Sequence, residues 1–199
     1  MKAYKIGIFG GAFDPIHYGH LINAETVRSD YHLDRIIFIP SKYTNKKGID
    51  ALVPAEDRFA MAVLATEEVK EFEVSRIELD RDGPSYTADT VNILWEQYPD
   101  EQLYLIIGSD ALYTIANWRK SESLLEQVTL IALRRPGNVP LQFADNVNFT
   151  VLYPDNPMVD ISSTSIRERL YNGKSVRFML PDSVIDYIQA NGLYVGSRR

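Results

Sequence analysis

Two histidines close to the amino terminus have the spacing of a phosphate-binding pair. His17 and His20 stand three residues apart, so they share one face if a helix begins here. A helix start offers unpaired backbone N–H groups and a partial positive charge, and both favour bound phosphate. Imidazoles beside such a start can donate hydrogen bonds to phosphate oxygens as charge develops on them. The pair therefore indicates a phosphate site.

The sequence around the histidines predicts the elements that would hold them. Residues 4–9 form a short apolar run that predicts a buried strand, Gly10-Gly11 predicts a turn, and an amphipathic pattern that starts near Tyr18 predicts a helix. Residues 35–40 form a second apolar run, ended by proline, that predicts the next strand of a parallel sheet. Strand, helix and strand within about 35 residues make a βαβ unit, so the chain opens as an α/β protein.

Periodicity predicts further helices and strands in alternation. The predicted helices cover residues 21–31, 55–65, 90–95 and 182–190, with one more ending at 124–128 and one beginning within 161–170. The predicted strands cover residues 72–79, 102–108, 129–133 and 148–153. Ser85 or Thr87 is expected to cap the helix at 90–95, and Ser165 and Glu168 have the spacing of a capping box. We expect one domain, residues 1–199, with a carboxyl-terminal helical part from about residue 161.

Composition narrows the class of protein. Of the 199 residues, 45% are hydrophobic and 24% charged, and there is no cysteine. These values are typical of a soluble globular protein, and they exclude disulfides, thiolate metal sites and a cysteine nucleophile. The formal net charge of −6 argues against broad electrostatic binding to nucleic acid. With no signal-peptide pattern and no apolar run of membrane-spanning length, we expect a cytoplasmic small-molecule enzyme that binds no membrane. The sequence leaves open whether the protein forms a homo-oligomer.

The block GGAFDPIHYGH, residues 10–20, resembles the GG(T/S)FDPxHxGH signature of the HxGH nucleotidyltransferase superfamily. It matches every specified position except Ala12, where the family usually carries a hydroxyl. The stretch Ile161-Ser-Ser-Thr-Ser-Ile-Arg167 resembles the second signature of that superfamily, ISSTxIR. The resemblance implies a Rossmann-like, doubly wound, mostly parallel sheet with helices on both faces and a small carboxyl-terminal helical part.

Three further blocks resemble the nicotinate (nicotinamide) mononucleotide adenylyltransferase family. They are the Gly-Pro-Ser-Tyr-Thr stretch at 83–87 followed by Thr90, the Ile-Ile-Gly-Ser-Asp stretch at 106–110 with Trp118, and the Arg-Arg-Pro-Gly stretch at 134–137. The blocks occur in the family's order, and the resemblance runs from Lys5 to Tyr194. It implies transfer of AMP from ATP to the mononucleotide, which gives the dinucleotide and pyrophosphate in NAD biosynthesis.

The resemblance also assigns roles to particular residues. His17, His20 and Arg167 would be catalytic, the histidines on the α- and β-phosphates and the arginine on the leaving pyrophosphate. The expected ATP-binding residues are Gly10, Gly11, Ala12, Phe13, Gly108, Asp110, Ile161, Ser162, Ser163 and Thr164. The expected mononucleotide-binding residues are Lys47, Tyr86, Thr87, Trp118 and Arg135, although Arg134 could face the phosphate in place of Arg135. Mg²⁺ is expected to be coordinated by the ATP phosphates, and no metal site formed by protein side chains is expected.

The sequence leaves the acceptor and the class of protein partly open. The loop at 41–54 departs from the Pro-Pro-His segment of nicotinate-type members and is more like the Lys-Lys-x-Gly loop of nicotinamide-type enzymes. The motif count favours nicotinate mononucleotide, and the amide is the alternative. Another HxGH enzyme, such as a phosphopantetheine adenylyltransferase, should lack the Ser-Tyr-Thr and Trp118 blocks. A non-catalytic nucleotide sensor would be a different class of protein. It would not need both the HxGH and the ISSTxIR signatures. No nucleophile–base pair is evident, which favours direct in-line attack.

Overall fold

A computed structural model describes residues 3–43, 52–134 and 149–196. Its strands are β1 (Lys5–Gly11), β2 (Arg35–Pro40), β3 (Phe72–Val74), β4 (Gln102–Gly108), β5 (Thr129–Leu133) and β6 (Val151–Leu152). They form one parallel sheet in the order β3-β2-β1-β4-β5-β6. This is the strand order of a doubly wound Rossmann-like fold, which confirms the predicted fold class.

The helices are α1 (Tyr18–Asp30), α2 (Ala55–Thr66), α3 (Thr87–Gln97), α4 (Ser109–Leu112), α5 (Ser121–Gln127), α6 (Ser163–Tyr171) and α7 (Asp182–Ala190). A single 3₁₀ turn, Ile115–Asn117, lies between α4 and α5. Within the ranges that the structure describes, no helix is long and apolar enough to cross a membrane.

Two buried clusters cover the two faces of the sheet. Along β2, Ile36 and Phe38 point to one face, and Ile37 and Ile39 point to the other. This alternation follows from the two-residue period of a strand, and burial on both faces explains why β2 reads as a continuous apolar run. The cluster that holds Phe38 packs α1, α2, α6 and α7 against the sheet, and the other packs α3, α4 and α5.

The predicted strand at 72–79 is wrong beyond Val74. The chain turns after β3, where the N–H of Asp80 donates to the carbonyl oxygen of Arg76 at 2.9 Å. Glu78 and Leu79 are buried in this turn. Apolar and polar residues alternate in the sequence here, but burial does not follow that alternation, because the adjacent residues Glu78 and Leu79 are both buried in the turn. The predicted strand at 148–153 is likewise shorter, because only Val151–Leu152 pair with β5, and Asn148 lies outside the described residues.

Two predicted helix caps are also wrong. Tyr86 is the N-cap of α3 and makes no side-chain capping bond. The hydroxyl oxygen of Ser85 instead accepts the backbone N–H of Lys42 at 3.2 Å, so it ties α3 to the segment after β2. At α6 the capping box is formed by Ser162 and Ser165 rather than by Ser165 and Glu168. A cap is determined by one backbone conformation, so spacing alone misplaces it by a residue or more.

Candidate active site

The predicted site residues that the structure describes lie at the ends of strands or in the segments that follow them. The chain crosses from β3 to the far side of β1 to form β4, so the strand order reverses between β1 and β4. In open α/β sheets ligands bind in the crevice at such a reversal, beyond the carboxyl ends of the strands. Gly11 ends β1 and Gly108 ends β4. Asp110, exposed in the first turn of α4, stands two residues after Gly108.

His17 and His20 stack on each other at the start of α1. Their ring centroids are 3.7 Å apart and the ring planes differ by 24°. His17 is the N-cap, in an extended conformation with φ −152° and ψ 169°, so it precedes the helix rather than sharing one of its faces as the spacing had predicted. The two rings meet because the backbone N–H of His17 donates to Nδ1 of His20 at 3.2 Å.

That hydrogen bond also determines where His20 carries its hydrogen. A ring nitrogen that accepts a hydrogen bond carries no hydrogen, so the neutral imidazole of His20 is protonated on Nε2. Nε2–H is then a donor, and the backbone holds Nδ1 in place. The geometry therefore prepares His20 to donate a hydrogen bond while uncharged.

Gly19 gives the ring of His17 its space. A Cβ atom at this position would lie 2.9 Å from Nδ1 of His17 and 3.5 Å from the carbonyl oxygen of Ile161. Real Cβ atoms do not approach other atoms within 3.0 Å, so any larger residue would displace the buried imidazole. The same distances place Ile161, from the far end of the chain, against the first turn of α1.

The chain turns at Phe13 rather than at Gly10-Gly11, which both belong to β1. Phe13 has φ 47°, a left-handed conformation that is costly for an aromatic residue. Burial offsets this cost, since Phe13 is 2% exposed and its ring packs at 5.1 Å from that of His20. Gly10 is exposed and has open space beside it, whereas Ala12 is half-buried and its carbonyl oxygen is engaged from inside the protein.

The second signature meets the first at this turn. The hydroxyl of Ser163 donates to the carbonyl oxygen of Pro15 at 2.9 Å. Arg167 donates from Nη1 to the carbonyl oxygen of Asp14 at 2.8 Å and from Nη2 to the hydroxyl of Thr164 at 3.2 Å. The start of α6, with the exposed hydroxyls of Ser162 and Thr164, therefore lies beside the histidines of α1.

Arg58 is a residue of this site that sequence reasoning missed. It is 1% exposed in α2 and donates to the carbonyl oxygens of Ala12 (2.5 Å), Ser41 (2.6 Å) and Val53 (3.4 Å). Burial lowers its pKa from the ordinary value, an effect that the nearby charge of Asp14 opposes. Arginine in a helix is ordinarily exposed, so the residue type of Arg58 did not indicate a buried side chain. Its hydrogen bonds connect the segment after β1 to the segment after β2.

The expected mononucleotide-binding residues Tyr86, Thr87 and Trp118 belong to the layer on the other face of the sheet. Thr87 begins α3 directly after Tyr86. The guanidinium of Arg119 stacks over the ring of Tyr86 at 4.7 Å, and Trp118 is half-buried against the second cluster while its Nε1–H donates to Thr114 at 3.2 Å. The first turn of α3 and the segment at 118–119 thus lie side by side.

Lys47 and Arg135 lie outside the described residues, so their predicted roles stay predictions. Arg134, which precedes Arg135, directly follows β5 and forms an ion pair with Asp155. Its backbone is held on both sides by Asn156, which accepts its N–H at 2.9 Å and donates to its carbonyl oxygen at 3.1 Å. The chain therefore leaves β5 in a defined direction at Arg134.

No cluster of three or more histidine or acidic side chains that could hold a metal ion occurs among residues 3–43, 52–134 and 149–196. Asp14 is the carboxylate closest to the histidines in sequence, and both of its oxygens are engaged. Oδ1 accepts the hydroxyl of Tyr194 at 2.6 Å, and Oδ2 accepts the N–H of Leu52 at 2.9 Å. The groups around the histidines therefore suit a cation that is already coordinated by the phosphate oxygens of a substrate.

Known proteins resemble this chain over almost its whole length. A family model described as cytidylyltransferase-like matches residues 8–169. A protein of Geobacillus thermodenitrificans with the name "Probable nicotinate-nucleotide adenylyltransferase" is 41% identical over 190 residues, 96% of this chain and 86% of its own. A protein of the same name from Roseiflexus sp. is 42% identical over 199 residues, 98% of this chain and 100% of its own.

Solved structures agree on the fold. The nicotinic acid mononucleotide adenylyltransferase of Plasmodium falciparum, complexed with NaAD, superposes with a TM-score of 0.78 at 21% identity and covers 96% of this chain and 97% of its own. At that identity the likeness concerns the fold. Sequence identity near 40% across nearly the full length shows more: the chain belongs to the nicotinate-nucleotide adenylyltransferase family, within the cytidylyltransferase-like superfamily.

Proposed function

We propose that this protein transfers AMP from ATP to nicotinate mononucleotide, giving deamido-NAD and pyrophosphate in NAD biosynthesis. One observation carries the proposal. The histidine pair at the start of α1 and the hydroxyl-and-guanidinium start of α6 meet through Asp14 and Pro15, although they are about 150 residues apart in sequence. Two helix starts that face one crevice suit a triphosphate chain.

The reaction needs no covalent intermediate. A phosphate oxygen of the mononucleotide attacks the α-phosphorus of ATP, and the bond from that phosphorus to the bridging oxygen of the β-phosphate breaks. Catalysis then consists of holding both substrates in line and stabilising the charge that develops on the phosphates. Mg²⁺ would enter with ATP and offset part of that charge.

His17 and His20 supply donors for the α- and β-phosphates. Because the backbone N–H of His17 donates to Nδ1 of His20, the neutral ring carries its hydrogen on Nε2, and that N–H is the donor that we assign to a phosphate oxygen. Gly10 and Gly11, at the end of β1, allow the phosphates to come close to the backbone, and the segment through Ala12 and Phe13 completes that wall. Ser162, Ser163 and Thr164 receive the leaving pyrophosphate together with Arg167, whose guanidinium can bind it through two N–H groups.

The remaining residues bind the two nucleosides. The carboxylate of Asp110, after β4, suits ribose hydroxyls. Tyr86, Thr87 and Trp118 would face the pyridine ring, since an indole stacks well on a flat heterocycle. Lys47 and Arg135 would bind the mononucleotide phosphate. The engagement of Arg134 by Asp155 supports Arg135 as the arginine that faces the ligand.

A pyrophosphate-release assay with ATP tests the function and the acceptor together. Nicotinate mononucleotide, nicotinamide mononucleotide and phosphopantetheine are supplied in parallel reactions. We expect the acid to give the highest kcat/KM. A preference for the amide would correct the acceptor, a preference for phosphopantetheine would place the chain in another branch of the superfamily, and no release with any acceptor would favour a nucleotide sensor.

The histidine pair gives the most direct mutational test. Removing one aimed donor from such a site costs about 10²–10³ in rate, so His20→Ala should lose about that factor in kcat while its melting temperature stays close to that of the parent. The control is His32→Asn at the exposed position after α1, where φ is 53° and asparagine is tolerated. Near-normal turnover in His20→Ala would contradict the mechanism.

A further inference from the structure

The last described turn of the chain reaches back to the turn after β1. Gly192 and Tyr194, which follow α7, have φ angles of 59° and 57°. These left-handed conformations reverse the chain, so that the hydroxyl of Tyr194 donates to Oδ1 of Asp14 at 2.6 Å. A non-glycine residue held in this conformation is strained, and such strain persists where surrounding contacts require it.

The hydroxyl of Tyr194 stays protonated and acts as a donor. Burial raises the pKa of Tyr194 well above its ordinary value, and the hydrogen bond to Asp14 adds to the effect. The charges of Arg167 and Arg58 oppose the shift but do not cancel it. Asp14 is itself 5% exposed, so a donor lost from its carboxylate would not be replaced easily by bulk water.

Asp14 contacts Arg167 in two different ways. Its backbone carbonyl oxygen accepts Nη1 of Arg167 at 2.8 Å, which leaves the far side of the guanidinium directed at Thr164. Its carboxylate oxygen Oδ2 stays 4.0 Å from the same nitrogen. The carboxylate is kept at this distance because Tyr194 and the N–H of Leu52 occupy its two oxygens.

We propose that Tyr194 is a positioning residue for the adenylyl transfer, acting on Arg167 through Asp14. While Tyr194 holds the carboxylate, the positive charge of Arg167 remains available to the leaving pyrophosphate. Without the hydroxyl, the carboxylate turns to Arg167 and draws its guanidinium into a close ion pair. This inference rests on the proposed function, because it gives Arg167 the pyrophosphate as its ligand.

Two tyrosine-to-phenylalanine variants separate this role from a structural one. Tyr187 of α7 also donates its hydroxyl to a carboxylate, that of Asp57 at 2.9 Å, and it lies in the same carboxyl-terminal part of the chain. Tyr194→Phe and Tyr187→Phe should each lower the melting temperature by a few degrees. Only Tyr194→Phe should lower kcat, by about 10- to 100-fold, because misplacing a binding group by an ångström costs that much. KM for the mononucleotide should change by less than about twofold, since its site lies across the crevice.

A double-mutant cycle tests the route through Arg167. If Tyr194 acts only through that guanidinium, Tyr194→Phe should have almost no further effect on kcat in an Arg167→Gln background, which has no charge for the carboxylate to pair with. Additive losses would overturn the inference, and so would a Tyr194→Phe enzyme with normal kcat. If Tyr194→Phe does not fold, Asp14→Glu replaces it in the same cycle, because the longer side chain keeps the charge and brings the carboxylate to Arg167, which it now misses at 4.0 Å. The same loss of kcat is expected, and additive losses again overturn the inference.

The failure of this inference can be told from the failure of the proposed function. A parent protein that releases no pyrophosphate from ATP with any acceptor overturns both. An active parent whose turnover is unaffected by Tyr194→Phe overturns only the role of Tyr194.

Discussion

Gly10 and Gly19 lie in one sequence block, yet a methyl group would meet different surroundings at the two positions. At Gly19 it would collide with the imidazole of His17 at 2.9 Å. At Gly10 it would meet no protein atom within 4 Å. The protein itself therefore requires the glycine at 19 and does not require the one at 10. If Gly10 is constrained, the constraint comes from the ligand.

Alanine substitutions at Gly19 and Gly10 distinguish a glycine that the protein requires from one that the ligand requires. Gly19→Ala should lower kcat by about 10²-fold, because the displaced His17 ring loses its alignment. Its stability should fall little, since alanine favours the helix by about 1 kcal/mol relative to glycine. Gly10→Ala should fold normally and raise KM for ATP, because its methyl group would stand where the phosphates approach the backbone. Steady-state kinetics and thermal melts of both variants check this, and an unchanged KM for ATP in Gly10→Ala would place the phosphates elsewhere.

At the scale of single residues, the sequence predicted the side chains that belong to signatures and missed those that support them. The two histidines and the Ser-Ser-Thr segment stand out as candidates because their residue types and spacing match signatures, and their roles in the reaction stay predictions. Arg58 and Tyr194 could not, because each acts through a contact with a distant segment: Tyr194 and Asp14 are 180 residues apart. Neither residue type is unusual in its own element, so no local pattern marks it.

At the scale of elements, prediction succeeded where an element has a clear pattern of burial. Helix α7 has the predicted bounds because its buried positions recur at helical spacing, and β4 and β5 match because each is a mostly continuous buried apolar run. It failed at β3, which has three residues, and at the caps of α3 and α6. Short elements and caps depend on hydrogen bonds to other segments, such as that from Lys42 to Ser85, which periodicity does not report.

Two hydrogen-bonded asparagines link α1 to the segments that follow β5 and β6. Asn23 of α1 donates to the carbonyl oxygen of Gly19 at 2.8 Å, and its own side-chain oxygen accepts from Asn156 at 2.9 Å. Asn156, 2% exposed, holds the backbone of Arg134 after β5. The pair therefore couples the histidine helix to the end of β5 through the buried amide of Asn156 and the half-buried amide of Asn23.

We expect Asn156→Ala to destabilise the protein by about 2–4 kcal/mol. It removes three hydrogen bonds and leaves the partly buried N–H and carbonyl groups of Arg134 without these partners, each bond being worth about 1 kcal/mol. Urea denaturation followed by circular dichroism measures the change. The control is Asn92→Ala on the exposed face of α3, which should stay within about 0.5 kcal/mol of the parent. Equal stabilities for the two variants would show that water replaces the Asn156 contacts.

At the scale of the whole molecule, the carboxyl-terminal helices share a core with the sheet. Ile166, Val184 and Ile188 of α6 and α7 are buried in the same cluster as Phe9 and Phe38 of the strands. Helix α7 is also tied to α2, where the hydroxyl of Ser183 donates to the carbonyl oxygen of Leu64 at 3.0 Å. We infer that the chain unfolds as one unit, as a single domain would.

Ile188→Ala tests that inference, because Ile188 and the two tryptophans that report unfolding lie on opposite faces of the sheet. Ile188 is 2% exposed, so the cavity left by alanine should cost about 2–4 kcal/mol. Trp118 packs in the cluster on the other face and Trp95 belongs to α3, so tryptophan fluorescence follows the layer that lacks α7. In one cooperative unit, the urea midpoint should fall by the same amount by fluorescence and by circular dichroism, because the shared sheet transmits the loss. If the fluorescence midpoint stayed at the parent value while circular dichroism showed an earlier step, the helices after residue 161 would unfold separately, and the site that joins both ends of the chain could open without unfolding the sheet.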